Sequence, residues 1–150
     1  MRIIFIAMPS NTPTTIHRHD YREYPFNITT VALHFDLHET ATRITSTLAI
    51  NSKENRPADL VLDGEDIRLI SVSINGKALG EHQYSLNEQT LVIPALQGQF
   101  ELRIVSECHP QENSTLMGLY VSGNSFFTQC EAEGFRRITF FPDRPDVMSI

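Results

Sequence analysis

The chain has 150 residues, 41% hydrophobic and 20% charged, which fits one soluble globular domain with a real core and leaves little room for two. Its formal net charge of -6 argues against a nucleic-acid partner and against an anionic membrane, since both select basic surfaces, while permitting a cationic or amine-bearing ligand. Two cysteines, Cys108 and Cys130, are too few for a disulfide scaffold and read as free thiols of a cytosolic protein.

The apolar run Ile3 to Met8 is shorter than the core of a secretory signal, and no small-residue cleavage pattern follows it. No other apolar stretch approaches transmembrane length. Residues 1–16 are expected to be a flexible extension, with Met8 a second candidate start, and residues 17–150 to form one β-domain.

From Ile28 the pattern has period two. Val31, Leu33, Phe35 and Leu37 are expected to face a core and Ala32, His34, Asp36 and His38 to face water, because successive strand residues point to opposite faces. After a break at Glu39 to Ala41, a second strand turns Ile44, Leu48 and Ile50 inward and Arg43, Thr45 and Thr47 outward. Asn51 to Pro57 is a polar loop. Leu60-Val61-Leu62 reads as a short buried strand, and Ile70, Val72 and Ile74 as one face of the next, which runs into Asn75-Gly76, a strong hairpin signal because both residues tolerate positive φ. Another hairpin is expected across Asn87-Glu88-Gln89, joining Tyr84–Leu86 to Leu91–Ile93. Phe100, Leu102 and Ile104 then alternate with Glu101, Arg103 and Val105, and two short strands flank Ser122-Gly123-Asn124. Nothing shows a 3.6-residue period. The expected fold is all-β, a mostly antiparallel sandwich or saddle. The stop four residues after Asp146 reads as a cut within a longer protein, truncating the domain at its C-terminal end.

Several clusters invite a chemical reading and lose it. His17, His19 and Asp20 lack a third conventional ligand at metal-like spacing. His34, Asp36 and His38 lie on the outward row of the first strand. Cys108-His109 are sequence neighbours, which does not aim the two side chains at each other, and a thiol nucleophile needs a base placed in space. No phosphate-binding glycine loop, nucleophile elbow or HExxH helix occurs. The chain therefore offers no catalytic residue and no metal ligand of its own. Gln129, Glu131 and Glu133 are different: at spacing two they share one side of a strand. Such a row is either an exposed edge with charges that discourage aggregation, or a pocket wall whose amide and carboxylate bind a cation through charge-assisted hydrogen bonds.

The run Thr128-Gln129-Cys130-Glu131-Ala132-Glu133-Gly134-Phe135-Arg136, with Gly118-Leu119-Tyr120 before it and Asp143-Arg144-Pro145-Asp146-Val147 after it, resembles the aminopeptidase N family of gluzincin metallopeptidases in its bacterial cytosolic branch. Arg18 to Arg22, Leu62 to Ile67 and Val72 to Gly76 agree, so the resemblance covers roughly residues 17–148. It implies a saddle-like β N-terminal domain packed on a thermolysin-like catalytic domain. In the family that next domain carries the GAMEN loop and the HExxH zinc helix, and neither occurs in this sequence. By resemblance, Glu131 binds the free α-ammonium of a peptide and Gln129 lines the pocket for its first residue. Glu133 has no transferred role beyond shaping the turn with Gly134, and Asp143, Arg144 and Asp146 are structural. The resemblance implies zinc in the full-length enzyme, held by ligands outside this chain. It also implies peptide substrates with free N-termini, a cytoplasmic location and no activity for the chain alone. A free-standing β-sandwich module binding carbohydrate or protein is the alternative, weakened by the absence of Trp and the presence of only four Tyr. An epoxide-hydrolysing homologue is a third reading, against which the intact Thr128–Gly134 run argues. Strands missing after residue 150 are expected to leave sheet edges open and the domain marginally stable or self-associating. Thermal melts beside a chain extended by some tens of residues would show this as a rise in stability on extension.

Overall fold

The computed structural model describes residues 17–147; the extension expected over residues 1–16 lies outside them. Ten strands follow in chain order: β1 (Phe26–Asp36), β2 (Thr42–Ser52), β3 (Ala58–Asp63), β4 (Arg68–Ile74), β5 (Lys77–Ala78), β6 (Ser85–Leu86), β7 (Thr90–Leu96), β8 (Gln99–Cys108), β9 (Gly118–Ser122) and β10 (Ser125–Gln129). They pair antiparallel in a five-stranded sheet of order β1-β2-β8-β4-β5, a three-stranded sheet β3-β7-β6 and the hairpin β9-β10. Helical residues among those described are confined to three single 3-10 turns, at Arg18–Asp20, Glu81–Gln83 and Phe135–Arg137. The all-β, antiparallel class read from the sequence is the class observed.

β2 and β8 form the centre of the large sheet, with Leu48 opposite Leu102 and Ile50 opposite Phe100. Their inward row packs against Leu60 and Leu62 of β3 and Leu91 and Ile93 of β7, and Phe140 and Phe141 close the same core. Burying each such side chain contributes about 1.5–3 kcal/mol, and period-two alternation presents them together. A second core lies farther along the same inner face: Ile44, Cys108, Leu119 and Ile138, joined by Leu33, Phe35 and Phe126. It seats the β9-β10 hairpin on the sandwich. The fully buried hydroxyl residues Thr42, Ser46, Ser106 and Thr139 belong to neither core, and the Thr139 hydroxyl donates to Ser46 Oγ at 3.1 Å. On the outer face, Glu107 of β8 lies opposite both Arg43 of β2 and Arg68 of β4. The Arg68 guanidinium donates to it at 2.5 Å and holds its carboxyl below the usual range, a favourable cross-strand charge pair.

Three expectations are corrected. β1 ends at Asp36, so Leu37 is 51% exposed and His38 belongs to a turn. Thr42 closes that turn, its hydroxyl donating to the His38 carbonyl at 2.7 Å and accepting from the His38 N–H at 3.0 Å. In β4 the pairing with β8 shifts between Leu69 and Ser71; the extra residue is Ile70, which a bulge turns outward. Ile70 is therefore 37% exposed, and Leu69 joins Val72 and Ile74 at the core. Val61 is 39% exposed because only one face of the small sheet is covered, so Leu60 and Leu62 alone are buried.

The Asp143–Val147 segment clasps the start of the domain. Asp146 Oδ2 accepts from the Tyr24 N–H at 3.0 Å and the Tyr21 hydroxyl at 3.1 Å, and Arg144 donates to both oxygens of Asp146, at 2.8 and 3.1 Å. Arg144 also donates to the Arg22 carbonyl at 2.7 Å and lies 5.6 Å from the Tyr24 ring centroid. These hydrogen bonds, Arg144's first, hold the Asp146 carboxyl far below the usual carboxylate range. A folded-state pKa below the unfolded value means stability that is complete above about pH 4 and is lost as the pH falls below it. Asp146→Asn is expected to lower Tm by about 5 °C at neutral pH. The gap to the wild type should narrow below pH ~4; thermal melts across pH that show a constant gap would refute the clasp's electrostatic character.

Candidate functional site

Gln129 is the last residue of β10, and the chain turns immediately after it. Glu131 to Gly134 form that turn, whose closing hydrogen bond runs from the Gly134 N–H to the Cys130 carbonyl at 3.0 Å. The peptide between Glu131 and Ala132 is cis, and Glu133 sits at φ 64°. The row of Gln129, Glu131 and Glu133 expected on one strand face is thus not a strand row, because the strand ends at the first of them. Gln129 and Glu131 are nevertheless brought together: Gln129 Nε2 donates to the Glu131 carbonyl at 3.3 Å, and both side chains are exposed. The Glu131 carboxylate has no hydrogen-bond or ion-pair partner among the described residues. An exposed carboxylate with its lone pairs open is chemically equipped to accept from an ammonium group.

Gly134 is buried at the point where the turn folds back. A Cβ there would lie 2.8 Å from both the Cys130 Cα and the Gln129 carbonyl oxygen and 3.0 Å from the Met117 methyl. Two of those three are backbone atoms, so the close approach needs glycine. Past Gly134, the 3-10 turn Phe135–Arg137 carries Arg136 under the site. Its backbone N–H and Nε donate to Asp143 Oδ2 at 3.1 and 3.2 Å, its Nη2 donates to the Asp143 carbonyl at 2.9 Å, and Nη2 lies 3.3 Å from Glu133 Oε2. Asp143 in turn donates its N–H to Asp63 Oδ2 at 3.1 Å. Burial pushes the Asp63 carboxyl up, with the Arg136 charge opposing that shift. Beside the turn, Tyr120 and Phe127 stack at 5.7 Å, and Phe127 is 46% exposed.

The remaining clusters stay separate from this site. The His17 and His19 rings stack at 5.2 Å, with His19 3.3 Å from Asp20. His34 and Asp36 lie exposed on the outer face. Cys108 faces inward and burial pushes its thiol up to about 11, while the exposed His109 aims Nδ1 at the Thr40 carbonyl. Cys130 is also free and its thiol is raised by burial. Among the described residues no group of three or more His, Cys, Asp or Glu is placed to hold a metal ion, and no helix is long and apolar enough to cross a membrane. The part of the site that the sequence reading missed is Arg136. It closes the run that carries the resemblance, but no role comes with it, and an Arg pair between Phe135 and Ile138 by itself looks like a solvated surface.

No protein-family model matches the chain. Among curated proteins it is 45% identical over 142 residues to aminopeptidase N of Caulobacter vibrioides, covering 95% of this chain and 16% of that protein. It is 42% identical over 137 residues to aminopeptidase N of Escherichia coli, covering 91% of this chain and 16% of that protein. Among solved structures, Legionella pneumophila aminopeptidase A in complex with aspartic acid superposes with a TM-score of 0.79 at 30% identity, over 87% of this chain and 16% of that one. An M1 zinc metallopeptidase of Deinococcus radiodurans bound to a Tyr-Ser-Ala substrate gives 0.68 at 17% identity, over 83% of this chain and 31% of that one, a likeness of fold. The chain thus spans about a sixth of the length of the curated relatives it matches.

Proposed function

We propose that this chain, similar over nearly its whole length to about a sixth of bacterial aminopeptidase N, is the N-terminal β-domain of such an enzyme and supplies the edge of an active site that recognises a free peptide N-terminus. Glu131 accepts hydrogen bonds from the substrate α-ammonium, and Gln129 lines the pocket for the first side chain. The observation that carries the reading is the pairing of these two residues at an exposed strand end, with the Glu131 carboxylate unpartnered. An exopeptidase must measure distance from the chain end. A carboxylate fixed at one end of the site does so by position, favouring removal of one residue and rejecting blocked N-termini.

Zinc does not fit the residues present here: no ligand set is formed among the described residues, and the sequence has no HExxH. The metal and the bond-breaking groups belong to a thermolysin-like catalytic domain outside this chain, and the assembled enzyme works on peptides in the cytoplasm. The isolated chain is accordingly inactive.

The test is a chimera in which this chain replaces the matching segment of the Caulobacter vibrioides aminopeptidase N. The chimera is expected to hydrolyse alanine p-nitroanilide and to spare its N-acetylated form, whereas the isolated chain hydrolyses neither. Turnover by the isolated chain, or a folded, zinc-loaded chimera without turnover, would overturn the proposal.

A further inference from the structure

We infer that Arg136, gripped by Asp143, is a positioning residue for Glu131; this rests on the reading of Glu131 as the ammonium anchor. Glu131 has no side-chain partner among the described residues, so its direction is set by the backbone of the turn that carries it. That turn hangs from β9-β10, a two-stranded ladder, and such a hairpin is marginal without support. Beyond the core contacts of Leu119 and Phe126 that seat the hairpin, the turn has a second support from below. Asp63 ends β3 and exchanges both backbone hydrogen bonds with Phe141, at 2.9 and 3.0 Å, which ties it to the sandwich. Asp63 holds the Asp143 N–H at 3.1 Å, and Asp143 holds Arg136 through its carboxylate and its carbonyl. Arg136 follows Gly134, the residue whose N–H closes the turn, by two positions and reaches back to Glu133 at 3.3 Å.

The path from the sheet to the exposed carboxylate therefore runs Asp63, Asp143, Arg136, turn, Glu131. Arg136 and Asp143 keep only 22% and 17% of their side-chain surface exposed, against 64% for Glu133. The Arg136–Asp143 contact is thus the shielded link, and the Glu133 contact the solvent-screened one. Arg136 uses Nε and Nη2 in two directions at once, toward the Asp143 carboxylate and the Asp143 carbonyl. A planar fork holds both bonds in a fixed geometry, which a rotating ammonium on a flexible stem does not.

A double-mutant cycle in the chimera tests the inference, read as kcat/KM for alanine p-nitroanilide. Arg136→Lys keeps the charge and loses the fork, and is expected to lower kcat/KM about 10-fold, the cost of a small displacement of a recognition group. Combined with Glu131→Gln it should add nothing further. Losses that multiply, or an Arg136→Lys variant with full kcat/KM, overturn the positioning role while leaving the anchor intact. A Glu131→Gln variant with unchanged kcat/KM instead removes the anchor itself. Asp143→Asn keeps the side chain's shape and runs the same cycle from the other partner. It is expected to give the same non-additivity, and it decides the matter if Arg136→Lys does not fold.

Discussion

Glu131→Gln in the chimera is expected to lower kcat/KM for alanine p-nitroanilide by about 100-fold with Tm almost unchanged. The two halves of that expectation have separate causes. Glu131 is exposed and unpartnered among the described residues, so the fold loses nothing when its charge goes, and surface changes of this kind shift stability by about 0.5 kcal/mol or less. An ammonium held by a carboxylate in a closed site gains about 1.5–3 kcal/mol over water, and a tenfold change corresponds to about 1.4 kcal/mol. Gln keeps the size and one acceptor oxygen, so the loss reports charge more than shape. The neighbouring Glu133→Gln serves as control: its one ion pair is exposed and 3.3 Å long, and it should cost less than about 5-fold. Equal losses at the two positions would mean that general negative charge attracts the substrate. No loss at Glu131 would end its assignment.

What the sequence disclosed about the fold divides along the range of the forces involved. Alternation is local, and the inward rows of β2 and β8 were legible because Leu48, Ile50, Leu102 and Ile104 repeat at spacing two and are all buried at 3% exposure or less. Turn chemistry is local too. Asn75 and Gly76 take φ of 49° and 76°, and Asn87 Oδ1 accepts from the N–H groups of Gln89 and Thr90, both at 2.8 Å, as expected for the second hairpin. The bulge at Ile70 and the early end of β1 were not legible, because a partner strand and the Thr42 side chain decide them. Strand order was equally hidden. β8 lies between β2 and β4 although some fifty residues separate it from the former, and no pattern within a strand names its neighbours.

The site shows the same division more sharply. The run from Thr128 to Arg136 was found by resemblance, and within it the Gln129 amide does reach the Glu131 backbone carbonyl. Their geometry was misread, because period two was carried past the point where β10 stops. Arg136 was passed over because its partners, Asp143 and through it Asp63, come from a loop seven residues on and from the end of β3. Asp143 was read as structural, and the hydrogen bonds give that word content: the same residue that holds the loop also holds the turn bearing the candidate anchor.

That dependence makes Gly134 the most sensitive position at which no substrate atom is involved. Gly134→Ala is expected to reduce kcat/KM of the chimera at least as far as Glu131→Gln does, and to cost about 1–3 kcal/mol in stability. The reason is steric: the new methyl meets backbone at 2.8 Å on two sides, at Cys130 and Gln129, and backbone cannot move aside as the tip of a side chain does. Relief comes only by shifting the end of β10 or the turn, and either shift displaces Gln129 and Glu131 together. Gly76→Ala provides the comparison. Gly76 has φ of 76° and nothing within 4 Å of the added methyl, so alanine there carries a left-handed backbone cost of about 1–2 kcal/mol and no clash. The two variants should therefore melt at similar temperatures and differ widely in turnover. If Gly134→Ala keeps wild-type kcat/KM while losing as much stability as Gly76→Ala, the turn's close packing serves the fold alone, and Glu131 does not depend on a rigid mount.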